Sequence, residues 1–399
     1  MSAPGLRVLF LSRWFPYPAD NGAKIRVYNL LQALGERHSV SLVSFRAAEE
    51  GAVNGWVRRL PLREIHEVAW PEYRPRGARA MLGYLSARPR SFVATFSSAM
   101  AETIRLLARR GRFDLVIASE IQMAAYSRFF RGTPALFEEV ETGVYFDERM
   151  AAGPLAVRPR LMFWKHARFL RTLLRDFARC TVVSEAERRI LARIAPEFEA
   201  VDVIPNAVRA ADYDGFGRGA SKAPDTLVFA GSAGFYPNRD AMTWFLERVY
   251  PKIVARVSGV RLTIVGNRAD LPLPPGPNVL RTGYVDDVRP IVARAAVSIA
   301  PIRRGGGTRL KILEAMALGA PVVATRKAAE GLDVRDNEHL LLADTPEAFA
   351  AAVVRLLENP EEARTLAANA DRQLRAVYDW DAVKTRFLEV VEKAALARA

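Results

Sequence analysis

The densest chemistry in the chain lies at Pro301-Ile302-Arg303-Arg304-Gly305-Gly306-Gly307-Thr308-Arg309-Leu310-Lys311-Ile312-Leu313-Glu314, which runs on to Gly319-Ala320-Pro321-Val322-Val323. A strand-type run enters, three glycines let the backbone approach a ligand, and a helical pattern begins with free N–H groups, so the stretch reads as an anion site. Lys311 and Glu314 stand at i and i+3 and share a helix face. A cation for phosphate beside a carboxylate that accepts from sugar hydroxyls suits a nucleoside diphosphate. A tight turn into a helix with a solvated Lys–Glu pair would be spelled the same way, so the surrounding sequence has to decide. A second cluster, Glu138-Glu139-Val140-Glu141, follows directly on a strand-like run. One of these carboxylates could orient or deprotonate an acceptor hydroxyl, and a solvated acidic loop is the plain alternative. His38, His66, His166 and His339 are scattered without metal-ligand spacing, so no metal site is expected.

The elements that must position these groups alternate. Residues 6–12 are of strand type, and Ile25, Leu30, Leu31 and Leu34 that follow are spaced for a helix. The unit recurs, with strands at 40–45, 115–117 and 181–183 and helices at 99–110 and 185–193. Residues 209–224 are polar and Gly-rich and read as a linker. A second series then places strands at 226–229, 262–265, 297–300 and 322–324, with helices at 241–257, 309–318 and 345–358. Such alternation predicts parallel sheets covered on both faces. The fold class expected is α/β: two doubly wound Rossmann-like domains, 1–208 and 209–379, facing an interdomain cleft, with a terminal helix over 380–399 packing back on the first.

The run Glu314-Ala315-Met316-Ala317-Leu318-Gly319-Ala320-Pro321-Val322-Val323 resembles the C-terminal hallmark of the family-four glycosyltransferases, which are retaining, metal-independent and of GT-B fold. The family's first glutamate of its Glu-x7-Glu pattern would fall at Gly306. By this resemblance Glu314 binds the ribose, backbone around Gly306, Gly307, Thr308, Leu310 and Lys311 holds the diphosphate, and Lys311 or Arg309 assists, Lys311 sharing the face of Glu314. Phe229-Ala230-Gly231-Ser232 and Tyr236-Pro237-Asn238 stand where the family opens its second domain, so Gly231 and Asn238 join the donor site. Asn238 lies where the family has a lysine, leaving Arg303, Arg309 or Lys311 to supply that charge. Gly283-Tyr284-Val285-Asp286-Asp287 is similar to the base-reading segment, with backbone at Tyr284 and Val285 meeting the nucleobase. Asp286-Asp287 could instead cap the following helix. Ser12-Arg13-Trp14-Phe15-Pro16 to Asn21-Gly22-Ala23-Lys24-Ile25-Arg26 resembles the family's first loop, which gives Gly22 to the acceptor side. Ile204-Pro205-Asn206 resembles the landmark that closes the first domain, with Asn206 in the cleft wall or a turn. Glu139 stands for the carboxylate cluster there. The activity implied is transfer of a sugar from a nucleotide-diphosphate donor to a saccharide, lipid-linked or small-molecule acceptor with retention, and no cofactor is expected.

Composition sets the outer limits. A chain of 399 residues exceeds a single core, which stops growing near ~250–300 residues. The lone Cys180 excludes a disulfide framework. No apolar run is long enough for a membrane span, and residues 6–10 are too short for a signal peptide, so the expected location is the cytoplasm, with the inner face of the cell membrane open to it. The formal charge of +14 asks for an anionic partner: a phosphorylated substrate, a membrane surface or nucleic acid. Arg168, Arg171, Arg175 and Arg179 fall on one face of a basic helix with Phe163, Leu170, Leu173 and Phe177 opposite. That face, with Arg74, Arg76, Arg79, Arg88 and Arg90, suits anionic headgroups or a pyrophosphate-bearing acceptor, and equally a solvated helix. A nucleotide-sugar epimerase and a basic nucleic-acid-binding protein remain the other readings. The basic residues lack the interleaved aromatics of a stacking platform, and nucleic acid is not expected as a partner.

Overall fold

The computed structural model describes residues 5–19, 21–46, 60–142, 157–217, 221–267, 271–305 and 308–397. They form two compact units: Met1–Pro205 with Lys384–Ala399, and Asn206–Val383.

The first unit is built on seven parallel strands: β1 Arg7–Ser12, β2 Ser39–Arg46, β3 Glu64–Ala69, β4 Leu115–Ser119, β5 Ala135–Glu138, β6 Arg179–Val182 and β7 Val201–Val203. Their order in the sheet is β3-β2-β1-β4-β5-β6-β7. Helices α1 Gly22–Gly35, α2 Ala78–Leu82, α3 Arg90–Ala94, α4 Ser98–Gly111, α5 Glu120–Ala124, α6 Val157–Leu174 and α7 Glu185–Ile194 fill the crossovers. The central strands are near-continuous apolar runs because both sheet faces are covered; Val8, Leu9, Phe10 and Leu11 are fully buried. Helix starts follow cap chemistry: Asn21 Oδ1 accepts from the Lys24 amide at 3.1 Å, and Ser184 caps α7 through the Glu187 amide. Strand order reverses between β1 and β4, the switch point where open α/β sheets gather ligands at their carboxyl ends.

The second unit repeats the plan with β8 Ala223–Ala230, β9 Arg261–Val265, β10 Val279–Gly283, β11 Ala295–Ala300, β12 Val322–Ala324 and β13 Leu341–Leu342, ordered β10-β9-β8-β11-β12-β13. Its helices are α8 Asp214–Gly217, α9 Tyr236–Trp244, α10 Tyr250–Val254, α11 Arg289–Arg294, α12 Leu310–Ala317, α13 Pro346–Glu358 and α14 Pro360–Val377, and α15 Trp380–Leu396 ends the chain. Here the order reverses between β8 and β11. Phe229, Phe245, Tyr250, Ile299 and Phe349 anchor a core separate from that of the first unit.

Four expectations change. Residues 209–224 are not a bare linker: they fold into a 3-10 turn, Ala210–Tyr213, then α8 and the start of β8. Arg175, Phe177 and Arg179 are not on the basic helix, which ends at Leu174; Arg179 opens β6 and pairs with Asp202 at 2.8 Å. Residues 241–257 do not form one helix, because Pro251 lacks an amide to donate and the chain passes through a wider π-type turn, Phe245–Val249, before α10. Strands β3, β7, β10 and β13 were not anticipated.

Candidate active site

In the second unit the loops after β8 and β11 meet at the switch point. Gly305 sits at φ +91°, a conformation suited to glycine, and leads into α12. The Arg309 guanidinium donates to the Gly305 carbonyl at 2.7 Å and the Arg304 carbonyl at 3.2 Å, so it shapes the glycine loop. Thr308 Oγ1 is buried at the mouth of α12 with no hydrogen-bond partner among the described residues. Leu310 is the first residue of the helix, and its amide and that of Lys311 fall in the first turn, where backbone donors lack intrahelical acceptors. Gly306 and Gly307 lie outside the described residues.

Lys311 turns back from α12 towards β8. Its ammonium donates to Asn238 Oδ1 at 2.9 Å and stands 4.0 Å from the centre of the Phe229 ring. Asn238 in turn donates from Nδ2 to the Ser232 carbonyl at 3.0 Å, so this amide holds the lysine and the turn after β8 together. Gly231 makes room for both: a Cβ there would lie 2.7 Å from Lys311 Nζ and 2.8 Å from Asn238 Nδ2. Burial, with Arg309 beside it, lowers the Lys311 pKa to about 7, Glu314 opposing the shift. The Glu314 carboxylate is pushed up by burial, and Tyr213 donates its hydroxyl to Oε1 at 3.4 Å. Tyr284 is exposed after β10, with Val285 half-buried beside it. Asp287 spends its carboxylate on the backbone and side chain of Arg289 at the start of α11, whose N-cap is Val288. Arg303 pairs with Asp240 at 2.9 Å.

The first unit gathers a different set at its own switch point. Glu138 is fully buried; Oε1 accepts from Arg26 at 2.7 Å and Oε2 from Ser119 Oγ at 2.7 Å. Arg26 also donates to the carbonyls of Ile204 and Pro205, which pins the end of the unit's last segment. Glu138 is therefore a structural charge, while Glu141 is exposed. Glu139 lies between these extremes. It takes φ +58° directly after β5, its amide donates to Thr181 Oγ1 at 2.9 Å, and its carboxylate sits 3.5 Å from Arg26 Nε. Burial raises its pKa well above the carboxylate range; Arg26 opposes, and Glu138, Glu120 and Glu141 add to the rise.

Glu120 mirrors Glu139 one strand away: φ +65° directly after β4, and a pKa raised by burial against the pull of Arg13. Trp14 Nε1 donates to Glu120 Oε1 at 2.6 Å, and the Arg13 guanidinium lies 4.6 Å from the ring of Trp14 and 4.9 Å from that of Trp70. Two non-glycine residues in the left-handed region at adjacent strand ends cost about 1–3 kcal/mol each, strain of the kind kept at functional sites. Gly22 is the exposed first residue of α1, and Asn206 follows Pro205 as the first residue of the second unit. Among the described residues no group of three or more His, Cys, Asp or Glu is placed to hold a metal.

Sequence reasoning brought Lys311, Glu314, Asn238 and Gly231 into one place; it took only Gly22 from the loop that holds Arg13, Trp14 and Arg26, and it missed Glu120 and Tyr213. Glu120 had a signal: it follows the strand-like 115–117 almost as Glu139 follows 135–137, but a lone glutamate is less conspicuous than three. Tyr213 had none, being set in a run that reads as linker.

Two family models match the chain: a glycosyl transferase 4-like domain over residues 21–207 and glycosyl transferases group 1 over residues 224–359. The phosphatidyl-myo-inositol mannosyltransferase of Mycobacterium tuberculosis is 31% identical over 210 residues, 48% of this chain and 54% of that protein. The chain spans about half the length of the curated relatives it matches. Among solved structures, sucrose-phosphate synthase from Thermosynechococcus elongatus superposes with a TM-score of 0.75 at 18% identity, covering 97% of this chain and 98% of that one. HepE of Anabaena, determined in complex with UDP-glucose, superposes with a TM-score of 0.64 at 15% identity, covering 97% and 100%. These two likenesses carry the fold: two parallel sheets flanked by helices in the GT-B manner. With both units matched to transferases, the epimerase and nucleic-acid readings give way, and the chain belongs to the family-four glycosyltransferases of GT-B fold.

Proposed function

We propose that the protein transfers a hexose from a nucleotide-diphosphate sugar to a hydroxyl of a saccharide, lipid-linked or small-molecule acceptor, with retention at the anomeric carbon and no metal or other cofactor. The observation that carries the donor half is the convergence at one switch point of the α12 N-terminus, the Lys311 ammonium held by Asn238, and Glu314. Helix N–H groups and a cation favour a diphosphate, and Glu314 is the acceptor for ribose hydroxyls. As the bond from C1 to the diphosphate oxygen breaks and the bond from C1 to the acceptor oxygen forms, the hydroxyl proton leaves with the departing phosphate. Lys311 and the helix N-terminus offset the charge that develops there.

On the acceptor side, Glu139 and Glu120, with Trp14 beside them, are the groups suited to sugar hydroxyls: two carboxylates at neighbouring strand ends next to an indole. Gly22 adds the exposed N-terminal turn of α1. The proposed location is the cytoplasm, at the inner face of the cell membrane.

The test is a thermal-shift and donor-hydrolysis panel of UDP-, GDP-, ADP- and dTDP-sugars on the wild type, Lys311→Ala and Glu314→Ala. One nucleotide should raise the melting temperature of the wild type, and both substitutions should remove the shift. If no nucleotide sugar at millimolar concentration moves the wild type, the donor assignment is lost. Product of inverted configuration, or activity that a chelator abolishes, would overturn the retaining, metal-independent part.

A further inference from the structure

Helix α6 carries a stripe that the transfer reaction does not use. Val157, Leu161, Trp164, Arg168 and Arg171 recur at alternating intervals of four and three residues, so they line one side of the helix; Arg175, in the turn just past its end, continues the spacing, and all six are exposed. The stripe changes character along its length. Its N-terminal half exposes apolar groups, Val157 at 77%, Leu161 at 46% and Trp164 at 54%, with exposed Arg160 beside them. Its C-terminal half is arginine, and with Arg193 of α7 it edges a groove of about 730 Å³ floored by Ile190 and Ile194. Arg171 is balanced by Glu197 at 2.9 Å, while Arg168 leans on the Trp164 ring.

A second group of exposed apolar side chains lies on the segment that packs on the buried side of α6. Lys165 Nζ donates to the Tyr84 carbonyl at 2.9 Å, and Phe92 of α3 packs on His166 and Phe169 of α6. These contacts seat the segment between α2 and α3 against the helix; Met81 and Leu82, which end α2, and Leu85 just beyond it are exposed, Leu85 at 89%. Soluble surfaces seldom gather so many exposed large apolar groups in one place unless a partner covers them. Exposed Arg79 and Arg88 flank these residues in the chain.

We infer that the exposed side of α6, together with the exposed end of α2, docks the protein on an anionic bilayer: Leu82, Leu85, Leu161 and Trp164 enter the headgroup layer while Arg168, Arg171, Arg175 and Arg193 meet lipid phosphates. Three features argue for a lipid surface as the occupant. Along α6 the apolar and basic groups follow one another on one exposed side, as in helices that rest in the interface plane. Trp164 joins the two halves, and tryptophan is enriched at headgroup depth. Among the described residues no helix is long and apolar enough to cross a membrane, so contact would be peripheral. A nucleic-acid partner would account for the arginines but not for Leu82 and Leu85. The inference is independent of the transferase reading, because no donor-site residue takes part.

The experiment is co-sedimentation of the full chain with vesicles of phosphatidylcholine alone or mixed with phosphatidylglycerol, at low and high salt. The wild type should pellet with the anionic vesicles, release with salt, and stay in solution with the neutral ones. Each basic residue near an anionic surface is worth about 1 kcal/mol, so the triple Arg168→Glu, Arg171→Glu, Arg175→Glu variant should lose binding roughly a hundredfold. The Leu82→Ser, Leu85→Ser variant, which changes two exposed side chains, should weaken binding at unchanged melting temperature. A blue shift of emission on adding anionic vesicles should be smaller in Trp164→Phe. Equal binding to neutral vesicles, binding untouched in both variants, or capture by duplex DNA that anionic vesicles do not compete away would overturn the inference.

Discussion

At Lys311 two effects pull against each other. Burial against Phe229 and the nearness of Arg309 disfavour the ammonium, and Glu314 only partly restores it, which leaves the pKa at about 7 against an ordinary 10.5. The ligand-free site is therefore poised between charged and neutral, and a diphosphate in the loop would favour the charged form. Donor binding should take up a proton. Calorimetry in two buffers of different ionisation heat should show uptake approaching one proton at pH 8 and little at pH 6, with affinity falling as pH rises past 7. The sign for folding is the reverse: the fold prefers the neutral amine, so without nucleotide this group adds stability as pH climbs from about 7 towards 10.5. Lys311→Arg should flatten the pH profile, and Lys311→Ala should cost about 1.5–3 kcal/mol of affinity, the worth of a hydrogen bond to a charged group. Proton uptake unchanged in Lys311→Ala would place the titrating group elsewhere.

The turn after β8 shows how element geometry, rather than side-chain identity, sets the donor site, and two neighbouring glycines separate its roles. A Cβ on Gly231 would meet only the ends of side chains, Lys311 Nζ and Asn238 Nδ2, which can move aside. A Cβ on Gly266, at the end of β9, would lie 2.5 Å from the Gly231 carbonyl, which is backbone and cannot. Gly231→Ala should therefore abolish the nucleotide-induced shift while keeping the fold. Gly266→Ala should destabilise by about 1–3 kcal/mol, the usual cost of overpacking, as read in urea melts. The reverse pattern would mean that the loop adapts and that Lys311 is not fixed by it. The same contrast governs what could be read from the chain. β1, β4 and β11 were legible because burial on both faces makes them near-continuous apolar runs. β3, Glu64-Ile65-His66-Glu67-Val68-Ala69, is a half-exposed edge strand, and β13 is two residues long, so neither leaves a period to detect. Tyr213 was hidden for another reason: what fixes it is Glu314, about a hundred residues away in sequence.

At the scale of the molecule, two units with separate cores each place a switch point beneath its own set of polar groups, and the two sets differ in kind. The second unit presents a helix N-terminus with a conditional cation, the chemistry of a diphosphate. The first presents carboxyl groups braced by Arg26 and Arg13, hydrogen-bonding partners suited to neutral hydroxyls. A nucleoside diphosphate without its sugar should therefore act on one unit. Amide hydrogen exchange with and without saturating nucleotide should show protection in the turn after β8, through the start of α12 and around Tyr284, because ligand-held loops exchange through local openings that binding suppresses. Exchange after β4 and β5, at Glu120 and Glu139, should change far less. Protection confined to the strand ends of the first unit would exchange the roles assigned to the two units, and would move the search for the donor site from Lys311 to the carboxylates around Arg26.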